Sequence, residues 1–104
     1  MGHVLPAAAL ERIPDLCRQY HVRRLDLFGS AADGRFDPAR SDIDLLVTFE
    51  PNQAAGGFHM YFDFRDALIA LFQREVDLVE ESAIVNPYFR REVEEQRVQL
   101  FPCP

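Results

Sequence analysis

The sequence has no lysine and no tryptophan; all eleven of its basic residues are arginine, set against seventeen acidic ones. A formal charge of −6 argues against the broad, sequence-blind grip on a nucleic-acid backbone that needs a basic surface. Arginine's rigid fork still suits a phosphate or carboxylate held in a cleft. Cysteine is scarce: Cys17 and Cys103 show no CxxC spacing and form no disulfide framework, so a reduced, cytoplasmic chain is expected. No apolar run approaches the roughly 18 residues of a membrane span. The start, MGHVLPAAAL, lacks a charged region followed by a long apolar one, and Pro6 stands where a myristoylation signal wants Ser or Thr. His3, His21 and His59 have no ligand spacing to one another or to cysteine and read as surface or capping residues. No serine or cysteine nucleophile sits in a recognisable local motif, and there are no internal repeats.

What remains is a chain of 104 residues, 48% hydrophobic with nine phenylalanines, which fits one domain over 1–104 with one core and no staple. From Ala7 to Tyr20 apolar positions recur every three or four residues, the pattern of a helix on a core. Pro14 interrupts it and predicts two short helices or one kinked helix. VRRLDLF alternates as a strand ending at Gly29, with Leu25 and Leu27 on one face. Asp26, on the other, reads as a surface residue. After a turn at Arg35–Arg40, SDIDLLVTFE is a second strand, with Ile43, Leu45 and Val47 opposite Asp42, Asp44 and Leu46. A loop with Gly56-Gly57 precedes a helix from Phe58 to Phe72. One apolar stripe there is Tyr61, Phe64, Leu68 and Leu71; a neighbouring one is Phe58, Phe62, Ile69 and Phe72. EVDLVEE is a third strand, and Asn86-Pro87 opens a last helix to about Arg97. This order predicts an α+β fold, a small mixed sheet flanked by helices.

Asp42 and Asp44 sit two apart among Ile43, Leu45, Leu46 and Val47, and Asp77 sits in the equally apolar VDLV. If the two strands are neighbours, three carboxylates converge, which is a hard-cation site of the kind Mg²⁺ takes with water and substrate phosphate. Two such ions can hold a triphosphate, activate a hydroxyl and stabilise departing pyrophosphate. Gly29 permits a tight turn, and Ser30 can donate to phosphate oxygens. Taken alone, an Asp-x-Asp pair reads equally as a solvated strand face, and Gly29-Ser30 as a plain turn.

The combination of LFGS, ten residues, SDIDLLV, and VDLV after a helix resembles the minimal nucleotidyltransferase (MNT) domain of the polymerase-beta-like superfamily. The resemblance runs over nearly the whole chain, from CRQYHVRRLDLFGS to NPYFRREV. It implies that Gly29 and Ser30 grip phosphate and that Asp42 and Asp44 bridge the metals. Asp77 would be the third ligand, helping to deprotonate the attacking hydroxyl. It implies two Mg²⁺ ions, ATP as substrate, and transfer of a nucleotidyl group to a hydroxyl with release of pyrophosphate. The very small prokaryotic members resemble the antitoxin of a two-gene module whose partner is a helical HEPN ribonuclease toxin, and some add AMP to a tyrosine of that toxin. The alternative is an antitoxin that acts by covering its toxin without catalysis. One departure favours that alternative: Asp33 stands where the family usually has Arg, leaving Arg40 or Arg35 to meet the phosphates. A second copy of the chain stays open as a further partner.

Overall fold

The computed structural model describes residues 5–29, 42–51 and 57–102, with the backbone alone at 57–58. Helix α1 (Ala7–Gln19) leads into strand β1 (Val22–Phe28). Strand β2 (Ile43–Phe49), helix α2 (Gly57–Phe72) and strand β3 (Val76–Glu80) follow, and a 3₁₀ turn (Glu81–Ala83), helix α3 (Pro87–Gln96) and strand β4 (Val98–Phe101) complete the order. The strands make one sheet in the order β3-β2-β1-β4. β1 is antiparallel to both β2 and β4, and β2 is parallel to β3. This is the expected small mixed sheet flanked by helices.

Alternation assigns each strand residue to one of two faces. On the first, Leu25, Leu27, Ile43, Leu45, Val47, Val76 and Leu78 are buried under Ile13 and Cys17 of α1 and Phe64, Leu68 and Phe72 of α2. Each such side chain contributes about 2 kcal/mol of apolar burial. Burial also pushes the Cys17 thiol up to about 12, which keeps it protonated and unreactive. The second face carries a smaller cluster, in which Phe28 and Leu46 meet Ile84 and Val93, with Val79 and Phe89 packed against them.

Three local details are settled by the packing. Of the two forms expected at Pro14, α1 is the single helix, with Pro14 inside it: Ala9, Ile13 and Cys17 are buried on either side, and that packing outweighs the hydrogen bond a proline cannot donate. The two stripes of α2 do not divide cleanly. Phe64, Leu68 and Phe72 are buried, Tyr61, Ile69 and Leu71 pack partly, and Phe62 is 42% exposed. The third is the edge strand β4, which follows α3 after a single residue. The start of α3 is as read: Asn86 Oδ1 accepts from the backbone N–H of Tyr88 at 2.8 Å and of Phe89 at 3.2 Å, with Pro87 in the first turn. The helix ends at Gln96, and Arg97 is its C-terminal cap. His21 and His59 are exposed, as expected.

Candidate functional site

β1 ends where β2 and β3 begin, so the same edge of the sheet gathers Gly29, Asp42, Asp44 and Asp77. In the β1–β2 ladder Phe28 stands opposite Asp44, and in the parallel β2–β3 ladder Asp44 stands beside Asp77. Residues in register on neighbouring strands share a face. Asp44 and Asp77 therefore lie on the face of Phe28, Leu46 and Val79, and Asp42, two residues before Asp44, continues the same line.

Asp44 is half-buried while Asp42 and Asp77 are exposed. Burial first, then the charges of Asp77 and Asp42, raise the pKa of Asp44 from 3.8 to about 6. Asp44 thus feels both other carboxylates, yet among the described residues no three acidic, His or Cys side chains already surround a common point. The donor set is all carboxylate oxygen, which suits a hard divalent cation and not zinc or copper.

The sign of the Asp44 shift gives a pH prediction. A carboxyl whose folded pKa lies above its unfolded value costs stability above the folded pKa, and that cost disappears below the unfolded one. Asp44→Asn should therefore stabilise the chain at pH 7, by about 1 kcal/mol once the group's partial exposure is allowed for. The gain should shrink as pH falls from about 6 towards 3.8. Urea unfolding of both chains at a series of pH values measures it.

Gly29 is required at its position for two reasons. Its φ of +73° is left-handed, and a Cβ there would overlap the Asp44 carboxylate, with Cγ only 3.1 Å away. Gly29→Ala should cost about 1–2 kcal/mol through backbone strain and also displace Asp44. Thermal unfolding and a crystal structure of the variant would report the two effects. Ser30, Asp33, Arg35 and Arg40 lie outside the described residues.

Sequence reading missed the polar network beside this edge. Asp26 is not a surface residue: it is fully buried on the second face, beside β4 in the sheet and against Arg97, the residue that joins α3 to β4. Arg97 answers its charge, with Nε donating to Asp26 Oδ2 at 3.0 Å and Nη2 reaching the same oxygen. Arg24 Nε adds a bond to Oδ1 at 3.2 Å. Arg97 also forks Glu81, through Nη2 to Oε1 at 3.0 Å and Nη1 to Oε2 at 3.2 Å, and bonds Glu94. The hydrogen bond from Arg97 is the main cause that holds the Glu81 carboxyl below its usual pKa. Burial opposes the Arg97 charge, but the bonds to Glu81, Asp26 and Glu94 outweigh it and raise the guanidinium's pKa. The one signal in the sequence was an acid wedged between Leu25 and Leu27.

The chain is similar to several known proteins. The family model described as a nucleotidyltransferase domain matches residues 10–100. A candidate protein adenylyltransferase of Methanocaldococcus jannaschii is 34% identical over 82 residues, covering 79% of this chain and 80% of its own. A solved candidate minimal nucleotidyltransferase superposes with a TM-score of 0.72 at 30% identity over 88% of both chains. The fold also recurs in the structure of a tri-AMPylated Shewanella oneidensis HEPN toxin in complex with its MNT antitoxin. The TM-score is 0.60 at 22% identity, over 92% of this chain and 71% of that one.

Proposed function

The chain belongs to the nucleotidyltransferase domain family, and on that premise we propose that it transfers AMP from ATP to a hydroxyl of a protein partner. The observation that carries this reading is the register of Asp44 beside Asp77 on parallel strands, with Asp42 in line and Gly29 against Asp44. Asp42, Asp44 and Asp77 would hold two Mg²⁺ ions, which when bound supply charge neutralisation for the triphosphate and the departing pyrophosphate. Gly29 and Ser30 would grip phosphate oxygens, and Arg40 or Arg35, both in the same connection of the sequence, would add a guanidinium.

Asp77 takes the proton of the acceptor hydroxyl as its oxygen forms a bond to the α-phosphorus. The bond from that phosphorus to the oxygen bridging to the β-phosphate breaks, and pyrophosphate leaves with the electron pair. Holding acceptor and nucleotide in line is the main service such a site renders.

The partner of this reading is a HEPN-type toxin and the acceptor one of its tyrosines, which makes the chain an antitoxin. Two likenesses support that choice: the M. jannaschii relative's name as a protein adenylyltransferase, and the shared fold with the MNT antitoxin of the AMPylated complex. Asp33, a negative charge in the connection that carries Ser30 and Arg40, favours the second reading, an antitoxin that neutralises by binding alone.

The test is incubation of the chain, its co-expressed helical partner, Mg²⁺ and α-labelled ATP. Label on a partner tyrosine is expected. A tight complex that gains no label would replace catalysis with simple covering.

A further inference from the structure

The turn that Gly29 makes has a second support, from the far end of the chain. Gln96 Oε1 accepts the backbone N–H of Gly29 at 3.3 Å across 67 residues of sequence. Gln96 is the last residue of α3, and its neighbours on both sides are fixed. Val93, one turn earlier, is buried against Phe28 and Leu46. Arg97, the next residue, is locked to Asp26 on β1 and to Glu81 just after β3. The backbone N–H of Arg97 closes the helix on the carbonyl of Val93 at 2.8 Å.

The side chain that reaches Gly29 is therefore carried on a short rigid arm. That arm is anchored to β1, which Gly29 directly follows, and just beyond β3, the strand that carries Asp77. The residue it holds has to be glycine, because its φ is left-handed and Asp44 occupies the space a side chain would fill.

We infer that Gln96 is a positioning residue for the nucleotide site: it fixes Gly29 against Asp44 and so sets where that carboxylate stands. The inference rests on the reading of this edge as a nucleotide site, and it adds a residue that lies outside the Gly-Ser and Asp-x-Asp motifs. With its N–H committed to Gln96, Gly29 is held in place beside Asp44. The design makes the site sensitive to α3: anything that shifts the end of this helix shifts the turn.

The experiment compares the full chain with Gln96→Ala and Gln96→Glu, the second of which keeps an acceptor oxygen at the same reach. Amide hydrogen exchange by NMR reads the Gly29 N–H directly. Its exchange should quicken about tenfold in Gln96→Ala and stay protected in Gln96→Glu, with the amides of Leu25 and Leu27 unchanged in both. Mg·ATP affinity, measured by titration on the same samples, should fall about tenfold in Gln96→Ala with thermal stability nearly constant. Unchanged Gly29 exchange in Gln96→Ala would overturn the inference. So would quickened exchange with unchanged Mg·ATP affinity. If the parent chain binds no Mg·ATP at all, the reading as a nucleotide site fails, and the positioning role falls with it even where the exchange result shows the Gln96–Gly29 bond to be real.

Discussion

Replacing Asp42 and Asp44 together by asparagine should reduce AMP transfer by at least about a thousandfold, because the charge that gathers Mg²⁺ around the triphosphate would be gone. The fold should survive. Asp42 is exposed and Asp44 half-buried, and asparagine keeps the size and much of the hydrogen bonding of aspartate. Removing a half-buried charge, and with it the repulsion among the carboxylates, should leave the double variant as stable as the parent or slightly more so. A transfer assay and a urea melt on one preparation check both halves. Opposite directions for activity and stability are what separate a functional carboxylate pair from a structural one.

The second large effect concerns the arginine behind the site. Arg97→Leu should destabilise the chain by about 3–5 kcal/mol, since among the described residues it leaves the fully buried Asp26 with only the half-exposed Arg24 for a partner. For a domain of this size that lowers the melting temperature by more than about 10 °C. Adding Asp26→Leu should restore most of the loss, because an apolar pair of similar volume no longer strands a charge. Glu81 retains Thr48 and Arg90 as partners in either variant. The surface pair Arg18–Asp15, with side chains 66% and 91% exposed, is the control: Asp15→Ala should change stability by less than about 1 kcal/mol. Calorimetric melts of the four chains measure the contrast. Full destabilisation in the double variant as well would mean that packing of the Arg97 stem, and not its charge, holds α3 to the sheet.

These two predictions draw on residues that were unequally legible in the sequence. The strands carrying the carboxylates could be read because period-two alternation with turn residues at the ends is a local signal, and Asp42, Asp44 and Asp77 each stand out against apolar neighbours. That β2 and β3 are adjacent and parallel is a long-range fact, which alternation states only as a condition. The misreading of Asp26 has the same origin. Alternation says which face a side chain takes, but not whether something covers that face, and what meets Asp26 here is Arg97, 71 residues later. β4 is four residues long, too short for a period to declare itself. Gln96 and Arg97 sit at a helix end, where an amide and a guanidinium look like ordinary surface residues until their partners are placed.

The central claim is that this edge of the sheet binds nucleotide through its three carboxylates and divalent metal, and calorimetric titration of ATP into the chain tests it most directly. With Mg²⁺ present the account predicts binding that disappears on adding EDTA and is absent in the Asp42→Asn, Asp44→Asn variant. ATP binding of equal strength with and without metal, or retained in the double variant, would contradict it.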